Sequence, residues 1–205
     1  MNMLTSWNEN TALLRGHAGA EPVLSHQNHG TSYWTFPLMV PRLSGAEDRV
    51  NVMVAEELLE LCPVEAGTRV EAEGEVRSFN NRSGKGSRLV ITLFARSLKY
   101  SGGEPCNTLV LAGAICKAPA LRRTPLGREI CDLLLAVNRK YGRADYLPCI
   151  AWGSLAEHCG GLSVGDGVRI EGRLQSRGYT KLVDGVEQPK IAYEISVMKL
   201  EAAEQ

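Results

Sequence analysis

Four aromatic side chains in the second half of the chain stand where they could receive a flat ligand. Tyr141 follows Asn138-Arg139-Lys140, and Tyr146 follows Ala144-Asp145. Trp152 lies between Ala151 and Gly153, and Tyr179 within Ser176-Arg177-Gly178-Tyr179-Thr180-Lys181. A base freed from a duplex offers a π-face, and each base–aromatic stack contributes about 1–3 kcal/mol without sequence readout. Cations suited to the phosphates between stacks are interleaved: Arg122, Arg123, Arg139, Lys140, Arg143, Arg173, Arg177 and Lys181. Taken singly, a Tyr beside a Lys is an ordinary amphipathic surface residue, and a Trp at a strand end caps a core as readily as it meets a base. The joint pattern is what marks a candidate surface for single-stranded nucleic acid.

Other chemistries fail on spacing. His26-x-x-His29 has ligand-like spacing, but no Cys, Asp or Glu in a matching arrangement completes a metal site. Gly84-Lys85-Gly86-Ser87 lacks the earlier glycine of a phosphate-binding P-loop and precedes a strand pattern rather than a helix. The six cysteines (Cys62, Cys106, Cys116, Cys131, Cys149, Cys159) form no CxxC pair and mostly sit in apolar runs, where a free thiol behaves as a small hydrophobe. No nucleophile–base pair and no convincing carboxylate cluster is present. The expectation is a binding protein, not an enzyme, with no metal and no cofactor.

The elements that must position these residues occur twice. Asn10-Thr11-Ala12-Leu13-Leu14-Arg15-Gly16 returns as Asn107-Thr108-Leu109-Val110-Leu111-Ala112-Gly113. At the same offset Pro22 returns as Pro119, Gly30 as Gly127, Val40 as Val137, Arg42 as Arg139 and Asp48 as Asp145. With one residue inserted, Gly67, Val70 and Gly74 return as Gly165, Val168 and Gly172. Tyr100 to Pro105 is rich in turn formers and lies where the repeat restarts, which divides the chain into domains 1–102 and 103–205.

In the second repeat, strands are expected over 107–116, 128–137, 146–152, 168–177 and 190–200. A short helix is expected over 154–159, with Ser154 as its cap in a Ser-x-x-Glu box. The first repeat follows suit with strands near 10–17, 32–40, 49–54, 68–79 and 88–98 and a helix over 56–61. Three strands, a helix, then two strands is the order of an OB-fold, a five-stranded Greek-key barrel. The expected class is therefore all-β, two tandem OB-folds with one short helix each. An SH3-like or other small barrel shares the same local pattern.

The ordered motifs of the second repeat strongly resemble the bacterial single-stranded DNA-binding protein family. They are Pro119 to Gly127, Leu135-Ala136-Val137-Asn138-Arg139, Trp152 to Cys159 and Val168 to Tyr179. The resemblance covers nearly all of 106–200. It implies an OB-fold that binds single strands by stacking, with Tyr141, Tyr146, Trp152 and Tyr179 at the stacking positions. It also implies phosphate contacts, which with the pattern above fall to Arg122, Arg139, Lys140, Arg173, Arg177 and Lys181. The first repeat has Ser44, Arg49 and Ala55 where the second has Tyr141, Tyr146 and Trp152. Its own aromatics, Tyr33, Trp34 and Phe36, lie on the second strand and read as core or interface packing, or else as a relocated stacking surface. The Asn80 to Ser87 loop reads equally as a phosphate-contacting hairpin and a solvated turn.

Family members usually carry a Gly- and Pro-rich tail with an acidic tip that recruits other proteins. This sequence stops soon after the last strand, so the expectation is that this recruiting device is absent, as in the related primosomal replication protein. The family assembles four OB-folds, which two copies of a tandem chain would supply, so a homodimer is expected.

The 205 residues balance 23 Lys and Arg against 23 Asp and Glu, so no global basicity announces a nucleic acid, and any attraction must be local. No signal peptide or membrane span is apparent, and the reading is a cytoplasmic, reduced protein. The function read from these features is sequence-tolerant binding of single-stranded DNA in replication, repair or recombination. RNA is a subordinate ligand. The alternative is a protein–protein adaptor, a primosome-like accessory to replication or recombination proteins, on the same scaffold.

Overall fold

The computed structural model describes residues 9–81, 89–183 and 185–203, less the side chains of Tyr141 and Val183. The first repeat contains β1 (Asn10–Ala18), β2 (Val23–Asn28), β3 (Thr31–Pro41), β4 (Glu47–Ala55), α1 (Glu56–Leu61), β5 (Arg69–Asn80) and β6 (Leu89–Tyr100). The second contains β7 (Cys106–Arg123), β8 (Glu129–Asn138), a 3-10 turn (Lys140–Gly142), β9 (Ala144–Trp152), α2 (Ser154–Gly160), β10 (Gly167–Val183) and β11 (Val186–Ala202).

Both repeats close in the same way. In the second, the neighbours run β7-β8-β9-β11-β10, and β10 returns to β7. β7 pairs antiparallel with both β8 and β10, β8 antiparallel with β9, and β9 parallel with β11. In the first, the order is β3-β4-β6-β5-β1 with β1 returning to β3, and the parallel pair is β4 with β6. With the helix between the third and fourth barrel strands, these are two OB-folds, and the SH3-like alternative falls away.

One strand goes beyond the sequence expectation. Val23–Asn28 pairs with β3 and continues the course of β1 after a break at Gly19 to Pro22. The second repeat makes the same bend without breaking. The β7 register with β8 slips between Ile115 and Lys117 and again between Lys117 and Ala120. Pro22 and Pro119 mark the two bends, because proline offers no N–H to a ladder and belongs at bulges and strand starts.

The recurring glycines have a steric cause at these crossings. A Cβ on Gly16 would lie 2.1 Å from the Met39 carbonyl oxygen, and one on Gly113 2.3 Å from that of Ala136. Gly74 and Gly172 repeat this against Phe94 and Ser196, at 2.0 and 2.4 Å.

Alternation fills each interior. Leu14, Phe36, Leu38, Val52, Val70, Ile91 and Leu93 are buried in the first repeat. Leu111, Ile115, Leu135, Leu147, Ile170, Leu174 and Ile195 are buried in the second. Each such side chain contributes about 1.5–3 kcal/mol by leaving water.

Contacts gather the chain into two compact bodies. Among the described residues, one takes in 9–11, 109–174 and 194–203; the other takes in 12–81, 89–108, 175–183 and 185–193. The outer ends of β10 and β11 thus group with the first repeat. Within that body the Ser176 N–H donates to Asp48 (2.8 Å), and Asn51 Nδ2 donates to the Tyr193 hydroxyl (3.3 Å).

Candidate nucleic-acid interface

Along β9 the residues Asp145, Leu147, Cys149 and Ala151 are buried, which by alternation sends Tyr146, Pro148, Ile150 and Trp152 to the outer face. Register extends this face over the neighbouring strand. Ala136 lies opposite Tyr146, Leu134 opposite Pro148, Asp132 opposite Ile150 and Ile130 opposite Trp152. Tyr146 is 52% exposed and Trp152 43%, the values of rings with an open face rather than of core caps. Ala136 is too small to cover its neighbour. The two rings are separated by about 20 Å at ~3.3 Å per residue, with half-buried Leu134 and Pro148 and buried Ile150 between them as an apolar floor.

The hairpin leading into this face is held by a device common to both repeats. Arg139 pairs through two nitrogens with Asp145, which is fully buried, and its backbone N–H donates to the Arg143 carbonyl (2.7 Å). In the first repeat Arg42 pairs with buried Asp48 and donates to the Ala46 carbonyl (2.7 Å). A carboxylate out of water needs such a partner, so the repeated Arg and Asp are one bracket. The bracket closes a five-residue loop. In the second repeat that loop is Arg139-Lys140-Tyr141-Gly142-Arg143, with Tyr141 in the 3-10 turn and its side chain outside the described residues. The first repeat has Arg42-Leu43-Ser44-Gly45-Ala46 in the same place.

The remaining cations divide by engagement. Arg122 is held against Asp132 through Nε (2.6 Å), and Arg123 against Glu129 (2.8 Å). The Asp132 hydrogen bond, with Glu194 further off, raises the Arg122 pKa above its ordinary value. Lys140 is exposed, and so is Arg143. Lys117, which sequence reasoning missed, lies opposite Leu134 and is exposed; only the cross-strand register reveals it. Arg173 is half-buried with its Nε–H buried and without an acceptor. Arg177, Tyr179 (39% exposed) and Lys181 alternate along one face of β10 in the other body. Tyr146, Trp152, Arg122, Arg139, Lys140 and Arg173 thus belong to one body, and Arg177, Tyr179 and Lys181 to the other.

Around the corner after Trp152, the helix start differs from expectation. Gly153, not Ser154, is the cap residue of α2, with φ 59° and ψ −136°, and no side chain caps the helix. That conformation suits glycine alone, and it ends β9 directly after the exposed indole. In the first repeat Phe36 is a core residue, and Trp34 is half-buried with its indole N–H buried and unpartnered.

A pair of closed OB barrels, one with an exposed aromatic face on its second and third strands, defines the class of protein. Comparison with known proteins narrows it. Residues 106–202, nearly all of the second repeat, match the Single-strand binding protein family. The single-stranded DNA-binding protein A of Bacillus subtilis is 38% identical over 80 residues, covering 36% of this chain and 46% of that protein. Single-stranded DNA-binding protein 2 of Listeria innocua is 36% identical over 80 residues, covering 36% and 50%. The match to the single-stranded DNA-binding protein of Deinococcus radiodurans is 28% identical but extends over 142 residues, 57% of this chain and 47% of that one. The chain spans about half the length of these curated relatives. The crystal structure of the wild-type single-stranded DNA binding protein from Thermus aquaticus shares the fold, with a TM-score of 0.78 at 23% identity over 97% of this chain and 94% of that one.

Proposed function

We propose that this protein binds single-stranded DNA without strong sequence preference, serving replication, repair or recombination, and that it acts by binding alone, not by catalysis. The carrying observation is the outer face of β8 and β9, where the exposed rings of Tyr146 and Trp152 flank an apolar floor in the repeat that matches the single-strand binding family. Bases stack on these rings, and Tyr141 and Tyr179 add further platforms. Lys140, Arg173, Arg177 and Lys181 contact phosphates. Arg122 and Arg139 hold the scaffold through Asp132 and Asp145 and add positive charge along the path of the strand.

The residue ranges 1–102 and 103–205 are the folding units of this reading. Two chains form a homodimer with four OB-folds, in the cytoplasm. Among the described residues no helix is long and apolar enough to cross a membrane.

The test is a titration of the protein into a labelled oligo-dT of about 35 nucleotides at two salt concentrations, beside matched duplex. Tight single-strand binding that weakens as salt rises, with duplex ignored, is expected. Sedimentation at micromolar concentration checks the dimer, and a monomeric mass would remove it. The adaptor reading draws on the ion-paired cations Arg122 and Arg123 and on the zero net charge. It takes precedence if neither salt condition yields affinity.

A further inference from the structure

Equivalent rows of the two barrels place their aromatics on opposite sides of one strand pair. In the second repeat the row is Ile130 facing Trp152, and in the first the residues at the same offset are Tyr33 facing Ala55. The large ring has crossed from the third barrel strand to the second, and a small residue has taken its place. Because Ala55 is small, the Tyr33 ring reaches over β4 to Phe94 on β6, with ring centroids 5.6 Å apart. His26 on β2 stacks on Tyr33 at 5.1 Å and 15°. The Arg96 guanidinium lies 4.8 Å from the Phe94 centroid. His26 and Arg96 are exposed, whereas Tyr33 and Phe94 are half-buried. Four side chains thus form a column with a ring at one end and a cation at the other, none of it continuing the barrel core.

We propose that this column is a second stacking platform for single-stranded DNA, carried by the repeat whose residues at the family's stacking positions are not aromatic. A base extends the column on the open face of His26, or takes the place of His26 on Tyr33. Arg96 supplies the phosphate contact, since its ion pair with Glu75 is long at 3.4 Å and leaves it 58% exposed. The occupant is single-stranded DNA on two grounds: the row matches that of Trp152, and a ring column ending in a guanidinium offers π-faces and positive charge together. The inference rests on the function proposed above.

The experiment uses the full chain and a 5-iododeoxyuridine-substituted single strand of about 35 nucleotides. Adducts are mapped after near-UV irradiation, and affinity is measured for Tyr33→Leu/Phe94→Leu, which keeps apolar bulk and removes the π-faces. Adducts at His26, Tyr33 or Phe94, and an affinity about tenfold weaker in the double variant, are expected. Adducts confined to the second repeat with unchanged affinity overturn the platform and leave the general function standing. An affinity loss that accompanies a fall in dimer mass also overturns it, because the face then holds a second copy of the chain. Absence of any affinity in the parent chain defeats the function itself. If the double variant fails to fold, the adduct map of the parent chain decides.

Discussion

Replacing Trp152 by Ala separates stacking from every other contribution to binding. The indole is 43% exposed and faces Ile130 across the strand pair, so its loss costs the fold the burial of its covered part, about 1–2 kcal/mol, and chemical denaturation measures that cost separately from binding. Binding loses the stack, which falls at about 2 kcal/mol within the range for a base on a large aromatic, or roughly 30-fold in Kd. Tyr146→Ala removes a smaller ring from the other end of the same floor and should cost less, about fivefold. Neither side chain carries charge, so the slope of log K against log salt should not change. Anisotropy of a labelled oligo-dT at several salt concentrations measures both quantities. A Kd within about twofold of the parent, or a weaker salt slope in Trp152→Ala, would refute the stacking argument.

The cations behave in the opposite way. Arg177→Ala and Lys181→Ala should each weaken binding similarly for all sequences and lower the salt slope by about 0.7, the value for one single-strand phosphate contact. Asp145→Ala leaves the half-buried Arg139 guanidinium without its bracket, and chemical denaturation should register a loss of about 3 kcal/mol. Gly172→Ala drives a Cβ to 2.4 Å from the Ser196 carbonyl oxygen, and the forced shift of two strands should cost about 1–3 kcal/mol and lower the Tm. Burial pushes the Cys159 thiol up to about 11 and that of Cys149 higher still. At pH 8 both should therefore resist alkylation in the folded protein and react on unfolding, which mass spectrometry with and without denaturant will show.

The architecture is largely legible in the sequence because a half-buried strand writes its alternation there, and the repeat gives each strand a second reading. Gly16, Gly74, Gly113 and Gly172 recur in register, which marks them as positions where the backbone is constrained; the close approach of a neighbouring carbonyl is the constraint. What escapes is information held between strands. The break that makes β2 lies in a Gly- and Pro-containing stretch, but whether strand one bends or breaks there depends on its two partners. Arg139 and Asp145 are both visible as repeated residues, yet their pairing depends on the hairpin closing over five residues. Lys117 and the column of His26, Tyr33, Phe94 and Arg96 follow from register alone, and Phe94 lies far from Tyr33 in sequence. The Ser154 box fails because Gly153 turns the chain sharply enough to start the helix without a side-chain cap.

The most direct test leaves Trp152 as the sole indole, through Trp7→Phe and Trp34→Phe. The second change removes a buried N–H that has no acceptor, so the fold should tolerate it. Titration with oligo-dT of about 35 nucleotides should quench the remaining tryptophan emission in step with binding, while matched duplex leaves it unchanged. Binding with unaltered Trp152 emission would contradict the account, because the strand would then follow a path that avoids the β8–β9 face.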